Sequence, residues 1–424
     1  MSDLQAVEDE GGDTDDPSPD FWFNSWLACD GPLLATVVDR IATLYLEAQP
    51  RARRPKADQV HRVATVVSTI IANLYRFHRS THKADRIAVP VEHAKSSRYE
   101  REGFRQVGPI IDCMAAQGFL IKHPAHFHKR RTGIVAKGDL LAALSNPEIR
   151  HADIKELEGR EVLILKARMG RSERGKPLRS ELVDYEDTAE TKAMREEVME
   201  INRFLSRQCI ELHGERQANV TLSRRFLLRS FDAPHRFNLH GRLYGAFWVN
   251  LPKVDRAGLR INGEPIVDLD FASMFPRLAY IHLGLEPPEG DLYAIPGLEK
   301  HRAGAKAGLS ALLSTRQEMR KLSSEVKEKL PPGWTARRLR DAVTMKHPAL
   351  VPLFGADFAL NLMFTESRIM VAALLSLARH RGIPALPMHD GMMVPAQREE
   401  EAREAMRKAC LDVTGKEISV AVKL

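Results

Sequence analysis

The most informative segment of the chain is Gly263-Glu264-Pro265-Ile266-Val267-Asp268-Leu269-Asp270-Phe271-Ala272-Ser273-Met274-Phe275-Pro276. Residues 263–271 predict a turn that leads into a strand, and Asp268 and Asp270 share one face of it because they are two residues apart. The strand ends at Ala272-Ser273, and a helix begins by about Pro276, a residue that a first helical turn tolerates. Asp270 is therefore predicted at a strand-to-helix junction, where a metal ion can reach its carboxylate.

A second acidic turn follows at His389-Asp390-Gly391, between apolar residues that predict a hairpin over 383–394. His-Asp-Gly is a common turn composition and is weak support for a site on its own. Two apolar strands that each end in an aspartate, in a basic chain, have the carboxylates that two-metal phosphoryl transfer requires. We therefore expect Asp270 and Asp390 to share a metal site.

The charge of the 424-residue chain is unevenly distributed. The net charge is +7, and residues 1–20 contain eight acidic residues and no Lys or Arg, so that leaving these residues out gives +15 for the rest. The strong positive charge of residues 21–424 favours a polyanionic partner. The acidic segment 1–20 is predicted to be a disordered tail, either simply solvated or in competition with nucleic acid for the basic surface.

The length and the remaining composition predict an ordinary globular protein of two or three domains. Four cysteines without a close pair suit a reducing compartment and give no zinc spacing. The chain lacks an 18-residue apolar run and the order of a signal peptide. We expect a cytoplasmic protein with no membrane partner.

Residues 21–155 predict a mainly helical domain. Apolar residues recur at helical spacing up to about Phe77, as at Val63, Val66 and Val67. A helix over 107–116, a stop at Gly118, a strand and a basic loop that holds Arg130 and Arg131 then follow. This order is typical of a winged-helix module, which would contact DNA phosphates through these arginines, and it also fits a helical scaffold with a surface hairpin. Both interpretations stay open.

Residues 156–240 predict a second region. A strand over 161–168 leads to an exposed basic hairpin tip at 170–176, which holds Arg171 and Arg174. A long helical segment is predicted over 188–213. We interpret the region as a helical, duplex-binding element, with Arg171 and Arg174 as DNA contacts.

Four short motifs accompany the two aspartates, in the order Gly241-Arg242-Leu243, Asn250-Leu251-Pro252, Gly290-Asp291-Leu292-Tyr293 and Arg302-Ala303-Gly304-Ala305-Lys306. With Asp270–Arg277 as motif A, 302–306 as motif B and His389-Asp390 as motif C, they resemble the family A DNA polymerases, to which the single-subunit phage-type RNA polymerases are related. Residues 273–276 also resemble family B. Each motif is weak alone, but the ordered set across about residues 240–395 is specific.

The resemblance implies roles for individual residues. Asp270, Asp390 and the backbone carbonyl of Phe271 would hold two Mg²⁺ ions, with Mn²⁺ as a substitute, and the two aspartates would be catalytic. Arg302 and Lys306 lie one helical turn apart and can clamp a triphosphate. The remaining residues implied at the site are Ser273, Phe275 and Tyr293 for the nucleotide and His389 for the primer–template. Arg242 would contact the primer–template or form a surface salt bridge, and Asp268 would be a carboxylate beside the metal ligands or a weak third ligand.

The sequence departs from the family pattern at several positions. Ser310 and Ser314 stand where the family has aromatic residues on the fingers helix, so base stacking is expected to be weaker. Gly391 replaces the usual Glu of motif C, and the stretch between motifs B and C is short, which implies reduced fingers. No Asp-x-Glu pattern in a strand context precedes the motifs, so we expect no proofreading exonuclease.

The sequence thus predicts an α+β protein. A mainly helical, winged-helix-like N-terminal domain is followed by a right-hand polymerase palm with a helical thumb and reduced fingers. The expected regions are the tail 1–20, a DNA-binding domain 21–155, a thumb-like region 156–240, and palm and fingers 241–424. The expected activity is extension of a DNA primer with dNTPs, because the bulky Phe275 would exclude a ribose 2′-hydroxyl. The alternatives are an RNA polymerase or primase-polymerase of the same fold, and an inactive DNA-binding replication or regulatory protein. The small size would fit a phage or mobile element.

Overall fold

The computed structural model describes residues 21–50, 54–80, 84–90, 97–99, 101, 107–125, 131–150, 153–167, 181–214, 227–231 and 237–423. Within them the chain is α+β, as predicted. It divides into two compact units, Met1–Glu161 with Glu211–Phe226 and Gly245–Gly258, and Val162–Ile210 with Leu227–Tyr244 and Leu259–Leu424. The predicted acidic tail and hairpin tip, with Arg130, Arg171 and Arg174, lie outside the described residues.

The first unit is built on two long helices and a small sheet. In chain order its elements are β1 (Phe21–Trp22), β2 (Leu27–Cys29), α1 (Pro32–Glu47), α2 (Ala57–His78), β3 (Ile87–Ala88), α3 (Val107–Ala116), β4 (Leu120–His123), β5 (Gly133–Ala136), α4 (Gly138–Leu144) and β6 (Ile154–Glu156). The predicted helical spacing is confirmed in α2, where Val63, Val66, Val67 and Ile70 are buried in the core of this unit. The short strands β1 and β2 are too brief to carry a period of two, and the sequence did not indicate them.

A helix followed by a hairpin occurs in this unit where the sequence predicts one. Helix α3 ends at Ala116, and Gly118, two residues later, has a φ of +78°, a conformation that suits glycine. Strands β4 and β5 then pair antiparallel, with Ile121 opposite Val135, in a sheet of order β1-β3-β5-β4. A winged-helix identity stays a prediction.

The region predicted as a helical thumb contains several short strands beside a long helix among its described residues. Its elements are β7 (Leu163–Ala167), β8 (Glu181–Leu182), α5 (Ala189–Ser206), β9 (Ile210–Leu212), β10 (Leu228–Phe231) and β11 (His240–Tyr244). The helix predicted over 188–213 ends at Ser206, and the alternating Ile210 and Leu212 form a strand instead. Thr188 and Thr191 form a capping box that fixes where α5 begins. Strands β11, β10, β7 and β8 make one sheet in this order.

The rest of the chain adds a short return to the first unit, α6 (Lys253–Arg256), and then most of the second unit. In order follow β12 (Leu259–Ile261), β13 (Glu264–Phe271), α7 (Met274–His282), α8 (Arg302–Ser314), α9 (Ser324–Lys329), α10 (Ala336–Lys346), α11 (Ala359–Ser376), β14 (Leu386–Met388), β15 (Gly391–Pro395), α12 (Glu399–Thr414) and β16 (Val420–Val422). The strand and the strand-to-helix junction predicted for residues 263–276 are present, and so is the hairpin predicted over 383–394.

Strand β13 is the centre of the second unit's main sheet. Strand β15 pairs with it along one edge, and β12 and β16 share the other. Leu269 and Phe271 are buried, at 0% and 2% exposure, so the alternation of a strand places Asp268 and Asp270 on the opposite face. One face of the sheet therefore carries the carboxylates of Asp268 and Asp270, and the other face packs into the core.

One helical stretch among the described residues, Ala359–Arg381, is long and apolar enough to cross a membrane by length and composition alone. It holds Glu366 and Arg368, and α11 within it packs against α5, α7, α8 and α12. A core helix of a soluble protein passes the same test. The helix is thus consistent with a soluble protein, and the cytoplasmic location stays a prediction.

Candidate active site on the second unit

The two predicted metal-binding aspartates lie on neighbouring strands. Asp270 pairs with Gly391 across β13 and β15, and the Phe271 N–H donates a hydrogen bond of 3.1 Å to the Asp390 carbonyl. Asp390 is thus held beside the end of β13 although it is far away in the sequence. The backbone of Phe271 lies next to Asp390, and the role of its carbonyl as a metal ligand stays a prediction.

Asp270 is in surroundings that disfavour its charge. Burial raises its pKa to about 6, the negative charge of Asp390 adds to this, and Lys423 and Lys306 lower it. The Oδ1 atom of Asp270 is buried and has no hydrogen-bond partner. A buried acceptor without a donor is costly, so this oxygen is suited to receive a cation.

The donor set at Asp270 and Asp390 consists of carboxylate oxygens, which suit Mg²⁺. Among the residues that the structure describes, no group of three or more His, Cys, Asp or Glu side chains forms a metal cage. Mg²⁺ takes oxygen ligands and is commonly held by one or two carboxylates together with substrate phosphates and water. Asp270 and Asp390 supply two such carboxylates, and the buried Oδ1 of Asp270 has no hydrogen-bond donor that a metal ion would have to displace.

Gly391, where the motif resemblance implies a glutamate, lies in a crowded position against β13. A Cβ atom at this position would lie 2.4 Å from the Leu269 carbonyl oxygen and 2.9 Å from Asp270 Oδ1. Both distances are shorter than any contact that a real Cβ makes. The close approach of β15 to β13 that unites the aspartates therefore leaves no room for a side chain at residue 391.

A cluster of cations lies around Tyr293. Arg302 and Lys306, at the start of α8, lie over the Tyr293 ring, with the guanidinium carbon 5.1 Å and the lysine Nζ 6.0 Å from its centroid. Burial raises the pKa of Tyr293, and the charges of Asp390 and Asp270 add to this. Tyr293 therefore contacts both cations of α8 and is close enough to the two aspartates to feel their charges.

Asp291 organises this cluster. Arg302 donates two hydrogen bonds to it, of 2.7 Å from Nε and 3.0 Å from Nη2. The same carboxylate accepts the Tyr293 N–H at 3.1 Å and the Ser273 hydroxyl at 3.4 Å. The hydrogen bonds from Arg302 hold the pKa of Asp291 below its ordinary value. Ser273, at the strand-to-helix junction, is thereby connected to the predicted triphosphate clamp.

Arg242 is clamped by a residue that the sequence did not indicate. Its Nε and Nη2 donate to the two carboxylate oxygens of Glu366 at 2.7 and 2.9 Å. Burial raises the pKa of Glu366 to about 7, although Arg242 acts against this. The Arg242 guanidinium carbon lies 5.5 Å from the centroid of the Phe275 ring. A glutamate within the apolar run of α11 is the signal that could have revealed this partner.

His389 is held in an unusual conformation beside Arg242. Its φ is +54°, and its Nδ1 is buried with no hydrogen-bond partner. Burial lowers its pKa to about 4, with the charge of Arg242 as a further cause, so the ring is neutral at pH 7. The ring centroid lies 5.9 Å from that of Tyr244. A neutral imidazole with an open nitrogen can accept or donate one hydrogen bond to a bound group.

Lys423 is a second residue of the site that no motif in the sequence indicates. Its Nζ lies 3.0 Å from Asp270 Oδ2, and its N–H donates to the Asp268 carbonyl at 2.7 Å. Burial lowers the pKa of Lys423, but Asp270, Asp390 and Asp268 together raise it above the ordinary value. The alternation of Val420, Ala421 and Val422 predicts a strand, yet nothing local reveals that this strand joins β13.

Other predicted contact residues are described only in part. In the first unit, the Arg131 guanidinium carbon lies 5.1 Å from the centroid of the Trp22 ring, which places this cation beside β1. On α8, the Ser314 hydroxyl donates to the Ser310 carbonyl at 2.7 Å, as serines do within a helix. The predicted DNA contacts of Arg130, Arg131, Arg171 and Arg174 stay predictions.

Comparison with protein-family models gives no match, and neither does comparison with curated protein sequences.

Proposed function

We propose that the protein is a template-directed DNA polymerase that adds deoxynucleotides to a primer 3′-hydroxyl with two Mg²⁺ ions and without a proofreading exonuclease. The observation that carries the proposal is the pairing of Asp270 with Gly391, which sets Asp270 beside Asp390 and leaves Oδ1 without a partner. A polymerase palm with reduced fingers is the architecture that we infer for the second unit. The ordered motifs of the sequence support the same reading.

The carboxylates of Asp270 and Asp390, with the Phe271 carbonyl, would hold the ions. When bound, the ions supply activation of the primer hydroxyl and neutralisation of the leaving pyrophosphate. Mn²⁺ would substitute because it accepts the same oxygen ligands. The protein's own contribution is to hold the carboxylates in place through the β13–β15 ladder, so that little reorganisation is needed during the reaction.

Arg302 and Lys306 would bind the triphosphate. Both lie over the Tyr293 ring from one face of α8, and the charge of Lys306 lowers the pKa of Asp270. An arginine offers a planar fork to phosphate, and a lysine offers a compact charge. Asp291 holds Arg302 in place until a phosphate replaces it.

Phe275 would select the sugar. It is half-buried on α7, and Arg242 covers its ring while Glu366 fixes Arg242. Because Arg242 packs on the Phe275 ring, this ring cannot easily move away from a ribose 2′-hydroxyl. Its position would therefore favour dNTPs over NTPs. His389 and Arg242 would lie against the primer–template, and the first unit would contact the duplex through a winged-helix-like hairpin.

Primer extension tests the proposal. The full chain is incubated with a primed DNA template, Mg²⁺ and either dNTPs or NTPs, and Asp270→Asn and Asp390→Asn are compared with it. We expect dNTP-dependent extension that falls at least about 1,000-fold in both variants, because each removes a carboxylate that stabilises the transition state. Asp412→Asn is the matched control, since this exposed aspartate only pairs with Lys408 at 3.6 Å.

The outcome separates the rival functions. A preference for NTPs, or synthesis without a primer, would indicate an RNA polymerase or primase-polymerase of the same fold. DNA binding by the wild-type protein and by Asp270→Asn, with no extension in Mg²⁺ or Mn²⁺ by either, would indicate an inactive DNA-binding protein.

A further inference from the structure

Lys423 follows β16 and faces the acidic side of β13. Strand β16 pairs Leu269 with Val422 and Asp270 with Ala421, and the Lys423 N–H continues this ladder by donating to the Asp268 carbonyl at 2.7 Å. Opposite residues of an antiparallel pair share a face of the sheet. The lysine side chain is therefore placed on the same face as Asp268 and Asp270 by backbone pairing, and its position does not depend on a flexible loop.

The two oxygens of the Asp270 carboxylate have different surroundings. Oδ2 lies 3.0 Å from the Lys423 ammonium, whereas Oδ1 is buried without a hydrogen-bond partner. Asp390 brings a second negative charge next to this group. A lysine ammonium is a compact point charge that can compensate such a pair in place of an ion.

We propose that Lys423 is a tethered cation that competes with a divalent metal ion for Asp270 Oδ2 and thereby sets the metal affinity of the site. The proposal rests on the proposed function only in taking Asp270 as a metal ligand. In the metal-free protein the ammonium holds the carboxylates together. When a metal ion binds, the ammonium leaves Oδ2, and its side chain, 36% exposed, can turn to solvent.

Lys423 is thus a positioning residue for the metal, and it has two consequences. Metal binding must displace an ion pair, so the free protein binds metal less tightly than its carboxylates alone would allow. The metal-free site is also protected from the repulsion between Asp270 and Asp390, so the sheet keeps its pairing without a metal ion. Both consequences can be measured without a nucleic acid substrate.

Mn²⁺ binding to the full chain tests this, without DNA or nucleotide, at pH 8, with free Mn²⁺ measured by electron paramagnetic resonance. Lys423→Met removes the charge and keeps the length of the side chain. We expect it to bind Mn²⁺ about tenfold more tightly than the wild type, because a close ion pair no longer has to break. Lys423→Arg keeps the charge and should stay within about threefold of the wild type.

Lys416→Met is the matched control. It removes the same charge from the same C-terminal segment, but Lys416 pairs with Glu286 and is not a partner of Asp270. Its Mn²⁺ affinity should equal that of the wild type. Lys423→Gln is a second neutral variant, with the same expected gain, for the case that Lys423→Met does not fold.

A neutral variant at residue 423 that folds and binds Mn²⁺ no more tightly than the wild type overturns the proposal. An equal gain in Lys416→Met overturns it too, because net charge would then be the cause. The gain must also vanish in the Asp270→Asn background, since the competition is for that carboxylate; a gain that persists there contradicts the proposal.

Primer extension measured in parallel separates this inference from the proposed function. Extension by the wild type together with an unchanged Mn²⁺ affinity in the neutral variants means that the inference alone fails. Tighter Mn²⁺ binding in these variants without extension by any of them means that the polymerase proposal fails and the metal competition stands.

Discussion

Arg242 and Arg302 each donate two hydrogen bonds to one carboxylate, yet the two pairs lie in opposite surroundings. Glu366, the partner of Arg242, is 0% exposed, whereas Asp291, the partner of Arg302, is 39% exposed and Arg302 itself 58%. Breaking a buried pair by removing one partner costs several kcal/mol, and an exposed pair contributes little. Similar hydrogen-bond geometry therefore holds Arg242 in place but leaves Arg302 able to exchange its partner.

The largest expected effect comes from the buried pair. Glu366→Ala leaves the guanidinium of Arg242 buried without its carboxylate and opens a cavity in α11. We expect a loss of about 3–5 kcal/mol in the free energy of unfolding at pH 7, measured by urea denaturation. A loss below about 1 kcal/mol would mean that Arg242 finds another partner and is not fixed by Glu366.

A second effect concerns the protonation of the buried partner. Burial raises the pKa of Glu366 from 4.5 to about 7, so a proton on this carboxyl stabilises the folded state. This stabilisation is complete below about pH 4.5 and is lost as the pH rises through about 7. Relative to Glu366→Gln, the wild type should be about 1–3 kcal/mol more stable at pH 5 than at pH 8. The same difference at both pH values would show that Arg242 keeps Glu366 ionised throughout.

The third effect concerns the ring that the fixed arginine covers. Phe275→Ala removes the side chain under Arg242, and we expect the ratio of dNTP to NTP incorporation to fall about tenfold or more, since a steric block of this kind disfavours NTPs by at least about 1.4 kcal/mol. The measurement is single-nucleotide extension with each substrate. Phe358→Ala is a control on an aromatic residue that packs against His282 instead, with 4.3 Å between the ring centroids. An unchanged ratio in Phe275→Ala would remove the sugar-selecting role.

The smallest effect is expected at the exposed pair. Asp291→Asn should change the free energy of unfolding by less than about 1 kcal/mol, because solvent screens the pair. Since Arg302 then lacks a competing carboxylate, its affinity for inorganic pyrophosphate should rise by at most about fivefold, as measured by calorimetry. Arg302→Ala should lower this affinity. A strong loss of stability in Asp291→Asn would mean that the two pairs do not differ in the way described.

The comparison also shows what the sequence could predict. The alternation around Asp268 and Asp270, the turn at Asp390 and the one-turn spacing of Arg302 and Lys306 are local patterns, and the structure has the strand, the hairpin and the helix at these positions. Local periodicity and turn chemistry determine such elements. The roles of these residues rest on the motif resemblance and await the experiments above.

What the sequence could not predict depends on pairing between distant segments. Glu366 is 124 residues from Arg242, and Lys423 reaches Asp270 only because β16 joins β13. No period or spacing encodes such a contact. The sequence does not predict β8 and β10 for a related reason, since each forms by pairing with β7, the strand that the sequence does predict.

Gly391 limits how this site can be altered. Because β15 passes β13 too closely for any Cβ, the number of acids in the turn is set by the spacing of two strands. A designer who wished to add a ligand, for instance to favour calcium over magnesium, would have to leave residue 391 unchanged and build the new oxygen from the opposite side of the carboxylates. Ser273, at the end of the same strand and bonded to Asp291, is where such a redesign would begin.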